Sequence, residues 1–105
     1  MEHIERIEYF EKYLDFGKRI KKIVGELANA RIFIFGSVIR GDFAPGLSDI
    51  DVAVVSDEFE NRDLRLGVLD RLLDEFFFSP FEFHVLTEKQ WKFYMRFIDE
   101  VVEIE

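Results

Sequence analysis

Cysteine is missing altogether. Disulfides and thiolate-bound zinc are therefore excluded, and a cytoplasmic protein is the natural expectation. Proline occurs twice and glycine six times in 105 residues, too sparsely for a linker or a low-complexity tract. No apolar run is longer than a short strand, which argues against a helical membrane span, and the charged, amphipathic opening MEHIERIEYFEKY is not a signal peptide. Positive charge is in short supply: 14 Lys and Arg against 22 Asp and Glu leave a net −8. Such a chain is repelled by polyphosphate backbones, which argues against non-specific nucleic-acid binding. Asn, Gln, Met and Cys together number five, a scarcity of thermolabile side chains that leans towards a heat-adapted protein.

What is present describes a globular chain. Apolar residues make up 49% and charged residues 34%, enough to close a core and keep its surface wet. The length suits a single domain, residues 1–105, with a core of two or three packed layers. Thirteen phenylalanines are a large share for so small a core, and some of them suit a partner or a homo-oligomer contact as well as they suit the interior.

Residues 3–28 carry Ile4, Ile7, Phe10, Leu14, Ile20, Ile23, Val24 and Leu27 at helical spacing, which predicts one long helix or two that break near Gly17. RIFIF, residues 31–35, is a short β-rich run ending at Gly36. Ser37 then reads as the N-cap of a brief helix that Gly41 stops. DFAPGLS is a loop by its Pro45-Gly46 pair. DIDVAVV is a strand, with Ile50, Val52 and Val54 on one face and Asp49, Asp51 and Ala53 on the other. Leu66, Leu69, Leu72 and Leu73 form the stripe of a helix over 62–75. FEFHVL, residues 81–86, alternates as a strand, and Thr87 caps a last helix running to about Phe97. The expected order, α-β-α-β-α-β-α, is an α/β fold with helices packed on a small sheet.

Three features carry chemistry. A strand that ends in Gly36-Ser37 and enters a helix aims free backbone amides and a hydroxyl at one point, a ready anion site, although an ordinary capped turn has the same two residues. GSVIRGD nearly spells the P-loop phosphate motif, but Asp42 stands where that motif needs Lys, so the P-loop reading fails. Asp49 and Asp51, about 6.6 Å apart on one strand face, repel by roughly 3 kcal/mol at an effective dielectric of about 20. A divalent cation between them reverses that sign, and Mg²⁺ suits one or two carboxylates together with substrate phosphates; the plainer reading is a solubilised edge strand. Glu82 lies on the polar face of the later strand and completes a carboxylate triad if the two strands are neighbours. His84 shares its face two residues on, where a lone histidine ordinarily orients a neighbour or is solvated.

Order and spacing together restrict the choice. The string FGSVIRGDFAPGLSDIDVAVV, followed by PFEFHVL, resembles the nucleotidyltransferase superfamily that includes DNA polymerase beta, and within it the minimal nucleotidyltransferases, over about residues 30–98. The resemblance implies the minimal nucleotidyltransferase fold, a small mixed sheet with helices. It implies that Gly36 and Ser37 hold the triphosphate of ATP or another NTP, that Asp49 and Asp51 bind two Mg²⁺ ions, and that Glu82 helps bind one of them and prepares the attacking hydroxyl. Arg40 and Ser48 belong to the same string, Arg40 meeting phosphate or pinning the loop, Ser48 shaping the loop before Asp49. Many relatives have Asp at the third position, so Glu82 is a departure of one methylene.

Larger relatives append a helical domain that grips base or acceptor, for which the roughly twenty residues after the third strand leave no room. Similar minimal proteins accompany a small helical HEPN partner in toxin–antitoxin pairs. The resemblance therefore implies transfer of AMP from ATP to a tyrosine hydroxyl of such a toxin. The rival is a catalytically silent module of the same fold that neutralises its partner by contact.

Overall fold

A computed structural model describes residues 4–105 of the chain. Four strands form one mixed sheet in the order β3-β2-β1-β4: β1 is Arg31–Phe35, β2 Ile50–Val55, β3 Phe81–Leu86 and β4 Val101–Ile104. β1 runs antiparallel to both β2 and β4, whereas β2 and β3 are parallel. The two central strands are buried on both faces, which is why RIFIF and IDVAVV read as almost continuous apolar runs.

One face carries Ile32, Ile34, Ile50, Val52 and Val54, covered by α1 (Arg6–Glu11), α2 (Tyr13–Gly25) and α4 (Arg62–Glu75). Tyr9 packs there against Phe16 and Phe81, and burial, the largest influence on its phenol, pushes its pKa up. The other face carries Phe33, Phe35, Ala53, Val55 and Leu86. Only part of it is covered, by Trp91 of α5 (Glu88–Tyr94) with Tyr94 and Ile98 alongside. The open remainder of this second face holds the polar residues described below. Among the described residues no helix is long and apolar enough to cross a membrane.

The N-terminal helices break at Lys12 (φ −116°, ψ 30°) and not at Gly17. Gly17 is buried in mid-helix, and a Cβ there would come within 2.7 Å of Ile104 Cδ1 and 3.0 Å of Ile34 Cδ1. This glycine lets α2 lie close on the sheet, a need of packing that resembles a helix breaker in sequence. Ser37 is also not a cap: it is the first residue of α3 (Ser37–Arg40), and Gly36 takes the cap position at φ 92°, ψ −160°. Gly41, left-handed at φ 82°, ends that helix as expected. Thr87 caps α5 in a reciprocal box with Gln90, and the last turn tightens to 3₁₀ over Met95–Phe97. Asp57–Glu60 form a further 3₁₀ turn, capped by Ser56.

β4 is the element the periodicity does not foretell. Its residues alternate between the exposed Val101 and Glu103 and the inner Val102 and Ile104, of which Ile104 joins the core beside β1. Lys21 of α2 donates to the Ile104 carbonyl at 3.0 Å and ties this edge down.

Candidate active site

Register brings the polar residues together. Across the sheet Val101, Phe35, Asp51 and Glu82 stand in one row, and Glu103, Phe33, Ala53 and His84 in the row two residues along, on the same face. Neighbours in a row share a face, so the parallel β2–β3 pairing sets the two carboxylates side by side and brings His84 to their flank. One donor atom from each of Asp51, Glu82 and His84 lies within 4.8 Å of the other two. Asp51 and His84 are partly buried, with side chains 25% and 19% exposed, and Asp51 Oδ1 is 3.1 Å from His84 Nε2. The imidazole is bordered by Phe35 and Tyr94, ring centroids at 5.5 and 5.6 Å.

The Gly36–Ser37 turn abuts this cluster directly. Gly36 has a backbone conformation that is nearly glycine-only, and a Cβ there would collide with Asp51 Oδ2. The missing side chain is thus what lets the carboxylate rest against the turn. The first amides of α3 have no acceptor inside their own helix, so hydrogen-bond donors and the carboxylates of Asp51 and Glu82 meet at one end of the sheet. Such a juxtaposition suits an anion that arrives with a divalent cation.

Asp49 is placed differently. It precedes β2, its side chain is 59% exposed, and its Oδ1 lies 3.6 Å from Arg6 Nη2. Arg6 also donates to the Ser48 carbonyl at 2.6 Å and, through Nε, to the Pro45 carbonyl. One guanidinium from α1 therefore pins the loop before β2 and partners its acid. Ser48 Oγ accepts from the Ala44 amide at 2.9 Å, closing the same loop. Arg40 pairs with Asp42 at 3.4 Å on the surface, both about half exposed or more.

Two residues beside the candidate site stand out less in the sequence than in the structure: His84, next to Asp51 and Glu82, and Arg6, on the loop before β2. The period-2 parity of Glu82 and His84 was a usable signal, because a histidine beside a carboxylate must face whatever stands opposite. Arg6 had no signal, since its acceptors Pro45 and Ser48 lie some forty positions away.

A cleft of about 620 Å³ opens at the opposite ends of the strands, lined by Arg31, Phe33, Glu88 and Trp91 among others. Of its cations Arg31, Lys89 and Lys92, Arg31 is already engaged, bridging Glu103 at 3.2 Å and Glu88 at 3.4 Å, and the Glu103 hydrogen bond raises its pKa. The sheet end with Asp51, Glu82 and His84, where two carboxylates and an imidazole converge beside a glycine turn, is the stronger candidate for chemistry.

A family model for the nucleotidyltransferase domain matches residues 18–104. Two solved structures, both carrying the name putative nucleotidyltransferase, are similar. One is 46% identical with a TM-score of 0.72, covering 89% of this chain and 98% of its own. The other, from Sulfolobus solfataricus, is 24% identical with a TM-score of 0.61, covering 97% of this chain and 87% of its own, and supports the fold alone. No curated protein matches the chain.

Proposed function

Since the chain belongs to the nucleotidyltransferase domain family, we propose that its carboxylate-bearing sheet end transfers AMP from ATP to a protein hydroxyl. The observation that carries this reading is the Asp51–Glu82 pair, side by side in parallel register, with Asp51 against the Gly36 turn. In this reading the turn, with Ser37, holds the triphosphate. Asp51, with Asp49 once released from Arg6, would hold Mg²⁺, and Asp51 with Glu82 would hold a second divalent cation. When bound, the cations neutralise phosphate charge and favour pyrophosphate as the leaving group.

The chain's own residues supply position and a proton acceptor. The acceptor oxygen attacks the α-phosphorus as the bond to the bridging oxygen of pyrophosphate breaks. The hydroxyl proton passes to the Glu82 carboxylate. Arg40 and Ser48 act on the loop that borders the phosphate, Ser48 through the Ala44 amide.

The proposed acceptor is a tyrosine of a small helical HEPN-type toxin, with this chain as antitoxin. Exposed aromatic pairs, suited to contact with another protein, support a protein acceptor. Phe77 and Phe78 are 69% and 90% exposed, with ring centroids 4.3 Å apart and planes tilted by 44°, and precede Glu82 in the turn entering β3. Phe93 and Phe97 form a second exposed pair at 5.4 Å, beside the Tyr94 that borders His84. A folded module acting by contact alone is the second reading, favoured by the engagement of Asp49 with Arg6.

ATP labelled at the α- or the γ-phosphate, incubated with Mg²⁺, the protein and a soluble extract of its source, separates the two. Label on a protein band from α-labelled ATP only, absent with Asp49→Asn/Asp51→Asn, is the expected result. No transfer from either label, with the double variant still neutralising the toxin, would establish the contact-only module.

A further inference from the structure

We propose that His84 is a metal ligand, and that the position it forms with Asp51 and Glu82 takes a first-row transition-metal ion in preference to Mg²⁺. The inference rests on reading this sheet end as a metal-dependent nucleotide site, and it concerns which ion sits beside Glu82.

Donor chemistry makes the first argument. Asp51 and Glu82 offer oxygen, but the third donor within 4.8 Å is an imidazole nitrogen. Mg²⁺ is a hard ion that takes oxygen ligands and keeps its water. An imidazole adds little for Mg²⁺, whereas it raises affinity along the series from Mn²⁺ through Co²⁺ to Zn²⁺. Asp49 and Asp51, by contrast, are an all-oxygen pair, the donor set that suits Mg²⁺ carried in with a nucleotide. The two positions therefore differ in kind.

Geometry makes the second. Donors on adjacent corners of an octahedron with bonds of about 2.1 Å lie about 3.0 Å apart, and Asp51 Oδ1 and His84 Nε2 are 3.1 Å apart. The ring is bordered by Phe35 and Tyr94 and stands opposite the small Ala53 of β2, so the nitrogen is held at the edge of the site. Glu82 is exposed, and its longer side chain leaves it free to close the third corner.

The test uses the purified chain and Mn²⁺ alone, followed by electron paramagnetic resonance. The expected result is one tightly bound ion whose pulsed spectrum shows coupling to a directly bound ¹⁴N. That coupling persists in His3→Ala, which leaves His84 as the only histidine, and disappears in His84→Ala. Mn²⁺ affinity falls by at least about tenfold in His84→Ala, and Co²⁺ displaces Mn²⁺ more readily than Mg²⁺ does.

Should His84→Ala lose its fold by circular dichroism, His84→Asn keeps a polar side chain of similar reach while removing the imidazole. Mn²⁺ bound without nitrogen coupling, and lost in Asp51→Asn but not in His84→Ala, would overturn the inference, leaving His84 as a residue that orients Asp51 while the metal-site reading stands. No bound Mn²⁺ in the wild-type chain, with or without ATP, would overturn both.

Discussion

Two aspartates separated by one residue ought to repel, and the structure gives each a polar partner of its own. Asp49 faces Arg6 at 3.6 Å and Asp51 faces His84 at 3.1 Å, so the strand start does not depend on a cation between the two acids to exist. A cation remains the agent that would draw them to one purpose. Arg6 is the less replaceable of the two partners, because it also holds the Pro45 and Ser48 carbonyls. Arg6→Ala should lower stability by about 1.5–3 kcal/mol, the range for hydrogen bonds to a charged group. It should also speed amide exchange over Ala44–Ser48; unchanged exchange there would show that the loop holds itself. Gly36→Ala is a sharper case, combining a conformation closed to Cβ with a collision against Asp51. It should cost about 1–3 kcal/mol in urea unfolding and abolish nucleotide binding. Retention of both would mean that the turn relaxes without engaging the carboxylate.

Among the elements, the glycines of α2 and α4 look alike in sequence and differ in the fold. Gly67 sits within α4 with no atom near the Cβ it lacks, so Gly67→Ala should stabilise by about 0.5–1 kcal/mol through helix propensity alone. Gly17→Ala should gain nothing or lose stability, because its methyl meets Ile104 and Ile34 in the core. Thermal melting of the two variants side by side checks both statements; equal gains would contradict the close packing of α2 on β4.

The same contrast explains what the sequence made legible. Strands β1 to β3 announce themselves by local period, and Thr87 by its capping partner three residues on. The acids of the site were legible for the same reason, being out of place in apolar strands. Helix α4 has the expected span but not the expected stripe: Val68 and Leu72 are buried while Leu66 and Leu73 are exposed, because the side that packs on α2 and β3 is the one carrying Val68. Hidden features are those that depend on distant partners. β4 is four residues that need β1 alongside, Gly17 is explained only by Ile104, and the positive φ of Gly36 only by Asp51. The helix break at Lys12 has no glycine or proline to mark it.

At the scale of the whole molecule, helices cover one face of the sheet completely and the other only in part. That asymmetry leaves the Asp51–Glu82 row open at the sheet edge, while the exposed pairs Phe77–Phe78 and Phe93–Phe97 add apolar surface to the molecule. A net charge of −8 works against an approaching triphosphate unless its charge is reduced by a cation. An acidic chain with an acidic site is thus suited to metal–nucleotide complexes and poorly suited to bare nucleic acid. α1, which supplies Arg6, lies before the residues matched by the family model, so the control it has over the Asp49 loop belongs to the surroundings of the matched region.

The most direct test is calorimetric titration of a non-hydrolysable ATP analogue with Mg²⁺ into wild type and Asp51→Asn. It is paired with ¹⁵N amide shifts to locate the bound analogue. The account predicts metal-dependent binding with the largest shifts at Gly36, Ser37 and the start of β2. In Asp51→Asn that binding should weaken at least about tenfold while the melting temperature holds or rises. Unaltered binding in Asp51→Asn, or shifts gathered around Trp91 at the other end of the sheet, would contradict it.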